Sequence, residues 1–264
     1  MTIEVPEELM PRGSVPSAPP RRPGSVRRTV TMDFTWPDGL AGNTMLDARA
    51  RDLRTGGDGS AAPLAAASLG LVSDSGRTVR EIKSDPGLRD VCIGYQNGSS
   101  ALNPDGTLRW QQGRQPAVDI DAVDDHLAWH AHARPAGVTM RRARRIDVWT
   151  DGPVIQVDAF FQDSSTLPEG GRQSIHEYTL TAQADLDTGT VRAVTPVPRV
   201  LPYRECPLAV GNTGALVGLP MGELRGAVLE QLRGPLGCTH LNDMLRALAA
   251  VPALARQLQP ARGR

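Results

Sequence analysis

The feature that most restricts how this chain can fold is a pattern in its first half that returns, in order, in its second. Arg27-Arg28, Met32-Asp33-Phe34 and Asp38-Gly39 come back as Arg141-Arg142, Ile146-Asp147-Val148 and Asp151-Gly152, at an offset of 114 that slips to 113 (27 to 141, 38 to 151). Leu46-Asp47-Ala48, with Asp52 and Thr55, matches Val157-Asp158-Ala159, with Asp163 and Thr166, at an offset of 111. Asp74-Ser75-Gly76 and Val79-Arg80-Glu81-Ile82 match Asp187-Thr188-Gly189 and Val191-Arg192-Ala193-Val194, and Leu88-Arg89-Asp90 is echoed by Tyr203-Arg204-Glu205. Matches in one order at a nearly constant offset point to internal duplication. Arg28 with Asp33, and Arg142 with Asp147, are expected to form structural ion pairs across hairpins.

Each unit reads as a run of strands. Asp-Gly at 38–39 and 151–152, and Ser-Gly or Thr-Gly near 76 and 189, are turn dipeptides. Between the later pair the alternation is strict. His176, Tyr178, Leu180, Ala182, Ala184 and Leu186 take one face, and Glu177, Thr179, Thr181, Gln183 and Asp185 the other, as in a half-buried strand. Helices come late. Met221 to Leu232 is one candidate. A second starts near Thr239, an N-cap residue type, and carries Leu241, Met244, Leu245 and Leu248 as an i, i+3, i+4, i+7 stripe. Val118 to Ala133 is a weaker helical candidate. The expected class is α+β: two internally duplicated, β-rich antiparallel-sheet halves with closing helices. Residues 27–138 make the first half and 139–257 the second. The Pro- and Arg-rich stretch 1–26 and the end, 258–264, are expected to be disordered tails.

Composition narrows the function. The formal net charge is zero, from 29 basic and 29 acidic residues, which removes the field that nucleic-acid binders rely on. No apolar run approaches the length of a membrane span, and the first residues lack the apolar middle of a secretory signal. Three cysteines, Cys92, Cys206 and Cys238, are too few and too odd in number for a disulfide scaffold. The reading is a cytoplasmic protein with reduced thiols, not bound to membrane or nucleic acid, acting on a small-molecule substrate. Self-association into a homo-oligomer stays open.

No Gly-rich phosphate loop, GxSxG elbow, HExxH or CxxC is present, so no nucleotide cofactor is expected. The second half does hold His176 at the start of the alternating strand, and Cys206 between two prolines in Pro202-Tyr203-Arg204-Glu205-Cys206-Pro207. Cys238-Thr239-His240 lies at a helix start, where free N–H groups stabilise a thiolate. Two Cys and two His match the donor chemistry of zinc or another divalent transition metal. Glu177 and Tyr203 stand beside them as candidate acid and base. Equally, free cysteine behaves as a small buried hydrophobe, and an inward-facing histidine as a hydrogen-bonded core residue. His126, His130 and His132 form another cluster, with His126 and His130 at i, i+4, but no carboxylate completes a metalloprotease pattern.

Three stretches in the first half, Gly24-Ser25-Val26-Arg27-Arg28-Thr29, Met32-Asp33-Phe34-Thr35-Trp36-Pro37-Asp38-Gly39 and Ala48-Arg49-Ala50-Arg51-Asp52-Leu53, join three in the second: Ile175-His176-Glu177, Pro202-Tyr203-Arg204-Glu205-Cys206 and Gly237-Cys238-Thr239-His240-Leu241. Together they resemble the bacterial family known as domain of unknown function 2889, over roughly residues 24 to 256. In that family's pattern the histidine is followed by an acidic residue, a place filled here by Glu177. The stretch His126 to His132 departs from it. The resemblance implies no reaction, but its signature residues coincide with the same His, Cys, Cys and His.

The expectation is therefore a metal-dependent or thiolate enzyme, a hydrolase or lyase acting on a small organic molecule. His176, Cys206, Cys238 and His240 would hold zinc or a similar ion, and Glu177 or Tyr203 would move the proton. The alternative is a non-catalytic module that clasps a small molecule or a protein between two β-rich halves.

Overall fold

The computed structural model describes residues 5–15, 22, 24–35, 89–102, 115–118, 139–166 and 171–258. Its centre is an antiparallel sheet with β1 (Val26–Thr35), β2 (Gln115–Pro116), β3 (Thr139–Asp151), β4 (Val154–Thr166), β5 (Arg172–Asp185) and β6 (Val191–Val200). The order is β1-β3-β4-β5, and the far edge of β5 is shared: β2 takes residues 173–174 and β6 takes 177–184. Asp151 pairs with Val154, so the β3–β4 loop is two residues long, and Gly152 at φ +56 supplies the left-handed conformation that such a loop favours. At the β5–β6 turn the Asp185 carboxylate accepts from the Asp187 and Thr188 N–H groups and the Thr188 hydroxyl. Those bonds and Arg192 hold its pKa down at about 2.

One face of the sheet carries the core. Ile155, Val157, Ala159 and Phe161 of β4 and Tyr178, Leu180, Ala182 and Ala184 of β5 alternate inward. They are covered by α1 (Leu224–Gln231), α2 (Thr239–Ala247) and α3 (Val251–Arg256). The stripe Leu241, Met244, Leu245 and Leu248 is fully buried, each side chain contributing on the order of 1.5–3 kcal/mol of transfer free energy. Helix α2 is capped by Cys238, with Asn242 N–H donating to the Cys238 carbonyl at 2.8 Å, so the cap falls one residue before Thr239. Gly237 must be glycine: a Cβ there would sit 2.0 Å from the Leu232 carbonyl oxygen. An antiparallel sheet with a few helices on one face is α+β architecture.

Several expectations change. β1 hydrogen-bonds to β3 along its whole length, and Cys92, Ile93, Tyr95 and Ala101 enter the same core as the helices. The described residues thus form one sheet and one main core. The β1–β3 register sets Arg27 opposite Asp147 and Asp33 opposite Arg141, so the recurring Arg/Asp pattern makes a local two-fold about the Val30–Arg144 pair. Strand equivalents between 36 and 88 lie outside the described residues, and a duplication of the whole unit is not shown. The ion pairs also differ from those expected. Asp147 binds Arg27 (2.6 Å) and Arg145 (3.3 Å), while Arg142 binds Asp163 (2.7 Å), because Arg142 and Asp147 alternate to opposite faces of β3.

Residues 5–15, read from composition as part of a tail, are tied to the sheet's other face. Arg12 and Gly13 N–H groups donate to the Pro198 and Arg199 carbonyls, and Val15 packs on Ala143 and Phe160. The histidines at 126, 130 and 132 and most of the 118–133 helical candidate lie outside the described residues.

Candidate functional site

Arg142, Asp163 and His176 form one row across three neighbouring strands, since the register pairs Arg142 with Asp163 and Asp163 with His176. The row ends the apolar face described above, just before a register shift between Asp163 and Ser164. His240, second residue of α2, descends on it from the helix layer. Its ring stacks on that of His176, centroids 3.4 Å apart and planes 11° from parallel. Phe161 and His240 meet in a T-shaped pair, ring centroids 6.1 Å apart.

Arg142 holds the carboxylate. Arg142 Nε donates to Asp163 Oδ1 at 2.9 Å and Nη2 to Oδ2 at 2.7 Å, a bidentate fork. His240 Nε2 stands 3.4 Å from Asp163 Oδ2 but makes no hydrogen bond, and neither does His176 Nδ1. All three residues are buried, and one donor atom from each lies within 4.8 Å of the others. Burial pushes both histidines well below 6.5; repulsion from His240 adds to this at His176, and Arg142 adds to it at His240. Both rings are therefore neutral at pH 7 and keep an unshared lone pair. His176 Nδ1 and His240 Nε2, in a cluster with a carboxylate and without a hydrogen-bond partner among the described residues, leave buried polar capacity unsatisfied, which is unusual in a folded core.

The other expected residues form a second neighbourhood on the far side of His240. Cys238 Sγ is 3.9 Å from His240 Nδ1, and Thr239 Oγ1 is 3.3 Å from the same nitrogen. Cys238 therefore reaches the ring nitrogen that faces away from Asp163. Cys206 lies deeper: a Cβ at Gly94 would be 2.9 Å from Cys206 Sγ and 3.8 Å from Cys92 Sγ. The three thiols are buried and unlinked. Burial, then Cys238 and Cys92, drive the Cys206 pKa well above 9, and Tyr178 is driven well above 10 by burial and the thiols of Cys238 and Cys206. The Tyr203 hydroxyl is 3.0 Å from that of Tyr95.

The four expected ligands thus do not converge on one point. His176 and His240 meet, Asp163 joins them, and neither Cys206 nor Cys238 is in that set. Glu177 does not join either. It follows His176 on a strand and so faces the opposite side, where it accepts from Ser14 Oγ (2.7 Å), Val15 N–H (2.8 Å) and Gln162 Nε2 (3.2 Å). It anchors the N-terminal segment rather than facing the rings. Tyr203 belongs to the thiol neighbourhood. Asp163 and Arg142 were missed as site residues, although Asp163 extends the inward run 155, 157, 159, 161. A carboxylate at the end of such a run must find a buried partner.

Residues 140–254 match the family described as Protein of unknown function (DUF2889). The matched stretch spans Arg142, Asp163, His176, Cys206, Cys238 and His240. No curated protein and no solved structure matches the chain. No helix among the described residues is long and apolar enough to cross a membrane.

Proposed function

We propose that Asp163, His176 and His240 bind a divalent transition metal, zinc or a similar ion, and that the protein uses it in a hydrolase or lyase reaction on a small organic molecule. The observation that carries this reading is the pair of stacked, neutral, buried rings whose His176 Nδ1 and His240 Nε2 have no hydrogen-bond partner beside a carboxylate. Two imidazoles and one carboxylate are a common set for zinc and for non-haem iron. Three protein ligands leave a coordination position for water, and a bound divalent ion lowers that water's pKa toward ~7.

The chain's own residues supply the rest. Arg142 fixes the Asp163 carboxylate through two bonds, and Asp243 lies 3.7 Å from Arg142 Nη1 behind it. Such outer partners typically set ligand orientation and are worth about 10–100-fold in metal affinity. Thr239 and Cys238 face His240 Nδ1, where an acceptor would hold the proton on Nδ1 and leave Nε2 bare. The thiolate alternative would use the Cys238–His240 contact, but the buried thiol has no described exposure to a substrate.

Metal content of full-length protein, expressed with zinc, iron or manganese supplied, tests the reading. About one equivalent is expected, falling below ~0.1 in Asp163→Asn and in His240→Ala and staying near one in Cys206→Ala. Less than ~0.1 equivalent of every metal in the wild type overturns it.

A further inference from the structure

We propose that Arg144, with Arg28 beside it, is a binding subsite for a carboxylate group, and that the substrate of the metal centre is therefore an organic acid. That the carboxylate belongs to a substrate rests on the metal reading above; the anion subsite itself does not.

The alternation of β3 sends Arg142 and Arg144 to the same face as Ile146, and the register sets Arg28 of β1 opposite Ile146. Three guanidinium groups therefore share the face on which the histidine cluster lies. Two carboxylates meet them among the described residues. Asp163 is engaged by the Arg142 fork. Asp243, on α2, is shared: its Oδ2 is 3.0 Å from Arg144 Nη1 and 3.7 Å from Arg142 Nη1. One positive charge remains in excess, and a divalent ion at the histidines would add two more.

Arg144 is the group left to be used. Only its Nη1 is bonded, to the Asp243 carboxylate and, at 3.4 Å, to the Asp243 carbonyl. Nε and Nη2 make no hydrogen bond among the described residues, and the side chain is 18% exposed, against 6% for Arg142. Its charged head is thus half-withdrawn from water with two parallel donors unspent. That arrangement is costly for a structural arginine and is the geometry that receives a planar carboxylate bidentately. Burial and the neighbouring Arg142 and Arg28 charges also push the Arg144 pKa down, as expected where a cation awaits an anion. The Arg28 side chain is exposed, so it can draw the anion in from solvent. From Arg144, the Asp243 carboxylate and then Arg142 lead to Asp163, so an acid seated there would lie beside the cluster.

Calorimetric titration of full-length protein with malonate and with benzoate, and with benzamide as the neutral counterpart of benzoate, tests this. At least one acid should bind with Kd below about 10 mM, benzamide at least tenfold more weakly. Arg144→Met should lower acid affinity about tenfold or more and Arg28→Gln about two- to threefold, with cobalt(II) absorption unchanged in both. If Arg144→Met does not fold, Arg144→Lys keeps the charge, loses the fork, and should still weaken the acid at least threefold. Binding of neither acid, equal binding of benzamide, or full acid affinity in Arg144→Met or Arg144→Lys overturns the subsite. Acid binding through Arg144 in a wild type that gives no cobalt(II) absorption would leave the subsite standing and remove the metal reading alone.

Discussion

His240 separates two buried polar neighbourhoods that burial treats in opposite ways. On its Nε2 side stand Arg142, Asp163 and His176; on its Nδ1 side stand Cys238, with Tyr178, Cys206 and Cys92 beyond it. In the first, burial lowers the pKa of both rings, which lie beside a carboxylate whose charge is met by a guanidinium. In the second, burial keeps protons on thiol and phenol groups. Lone pairs aimed at one point can take up a cation, whereas thiols that hold their protons pack as small apolar groups. The same low-dielectric core thus leaves unpartnered ring nitrogens beside a carboxylate on one side and packed thiol and phenol groups on the other, and the sequence, which shows only His and Cys, does not distinguish them.

The comparison breaks most readily at Arg142. Arg142→Ala leaves Asp163 charged, buried and without its fork, and removing one partner of a buried pair costs about 3–5 kcal/mol. Urea unfolding should show that loss together with loss of bound metal. A variant that keeps wild-type stability would mean that Asp163 is satisfied in another way and that the row across β3, β4 and β5 is not held by charge. Gly237→Ala comes next and strikes both neighbourhoods, because it displaces the turn that places Cys238 and His240. With the Leu232 carbonyl oxygen 2.0 Å from the new methyl and Asn242 Nδ2 at 2.6 Å, about 1–3 kcal/mol should be lost, with metal content reduced as well.

What could be read in advance follows from period and spacing. The 176–186 alternation, the turns at 152 and 189 and the 241–248 stripe are local patterns, each recording which face of one element is apolar, and each recurs in the structure. The pairing of β1 with β3, the seating of 5–15 against Glu177 and the docking of His240 over His176 depend on contacts between distant segments, which no local period encodes. His176 and His240 were legible as chemistry-bearing residues by type. Asp163 was not, because its role comes from the hairpin register that puts it opposite His176. Glu177 follows His176 in sequence but faces the opposite side of the strand, and Cys206, chosen by residue type, stands outside the Asp163, His176 and His240 group.

Cys206→Ala sharpens the contrast at smaller cost. Replacing a buried thiol by a methyl leaves a small void and should cost about 1 kcal/mol, while metal content stays within twofold of wild type. Loss of metal in this variant would return Cys206 to the ligand set and move the centre across His240.

The last test lies in the alkaline limb of stability and in thiol reactivity. The Cys206 pKa is raised well above 9, and those of Tyr95 and Tyr178 well above 10. A group whose folded pKa is raised contributes stability that is complete below its unfolded pKa. As pH climbs past that value the unfolded chain sheds the proton first, and the contribution declines until the folded pKa is reached. Stability should thus be level from pH 7 to about 8.5 and then fall by up to about 1.4 kcal/mol per pH unit for the Cys206 thiol, with the two tyrosines steepening it above 10. Cys206→Ala should remove the first part of that slope and leave the second. Burial keeps the thiols out of reach: of the three cysteines in the chain, none should react with a disulfide reagent within minutes at pH 7.5 in the native protein, and all three should react in denaturant. One rapidly reacting equivalent that disappears in Cys238→Ala would show an accessible thiolate at His240 Nδ1. It would reverse the contrast between the two sides of that ring and favour nucleophilic chemistry over the metal.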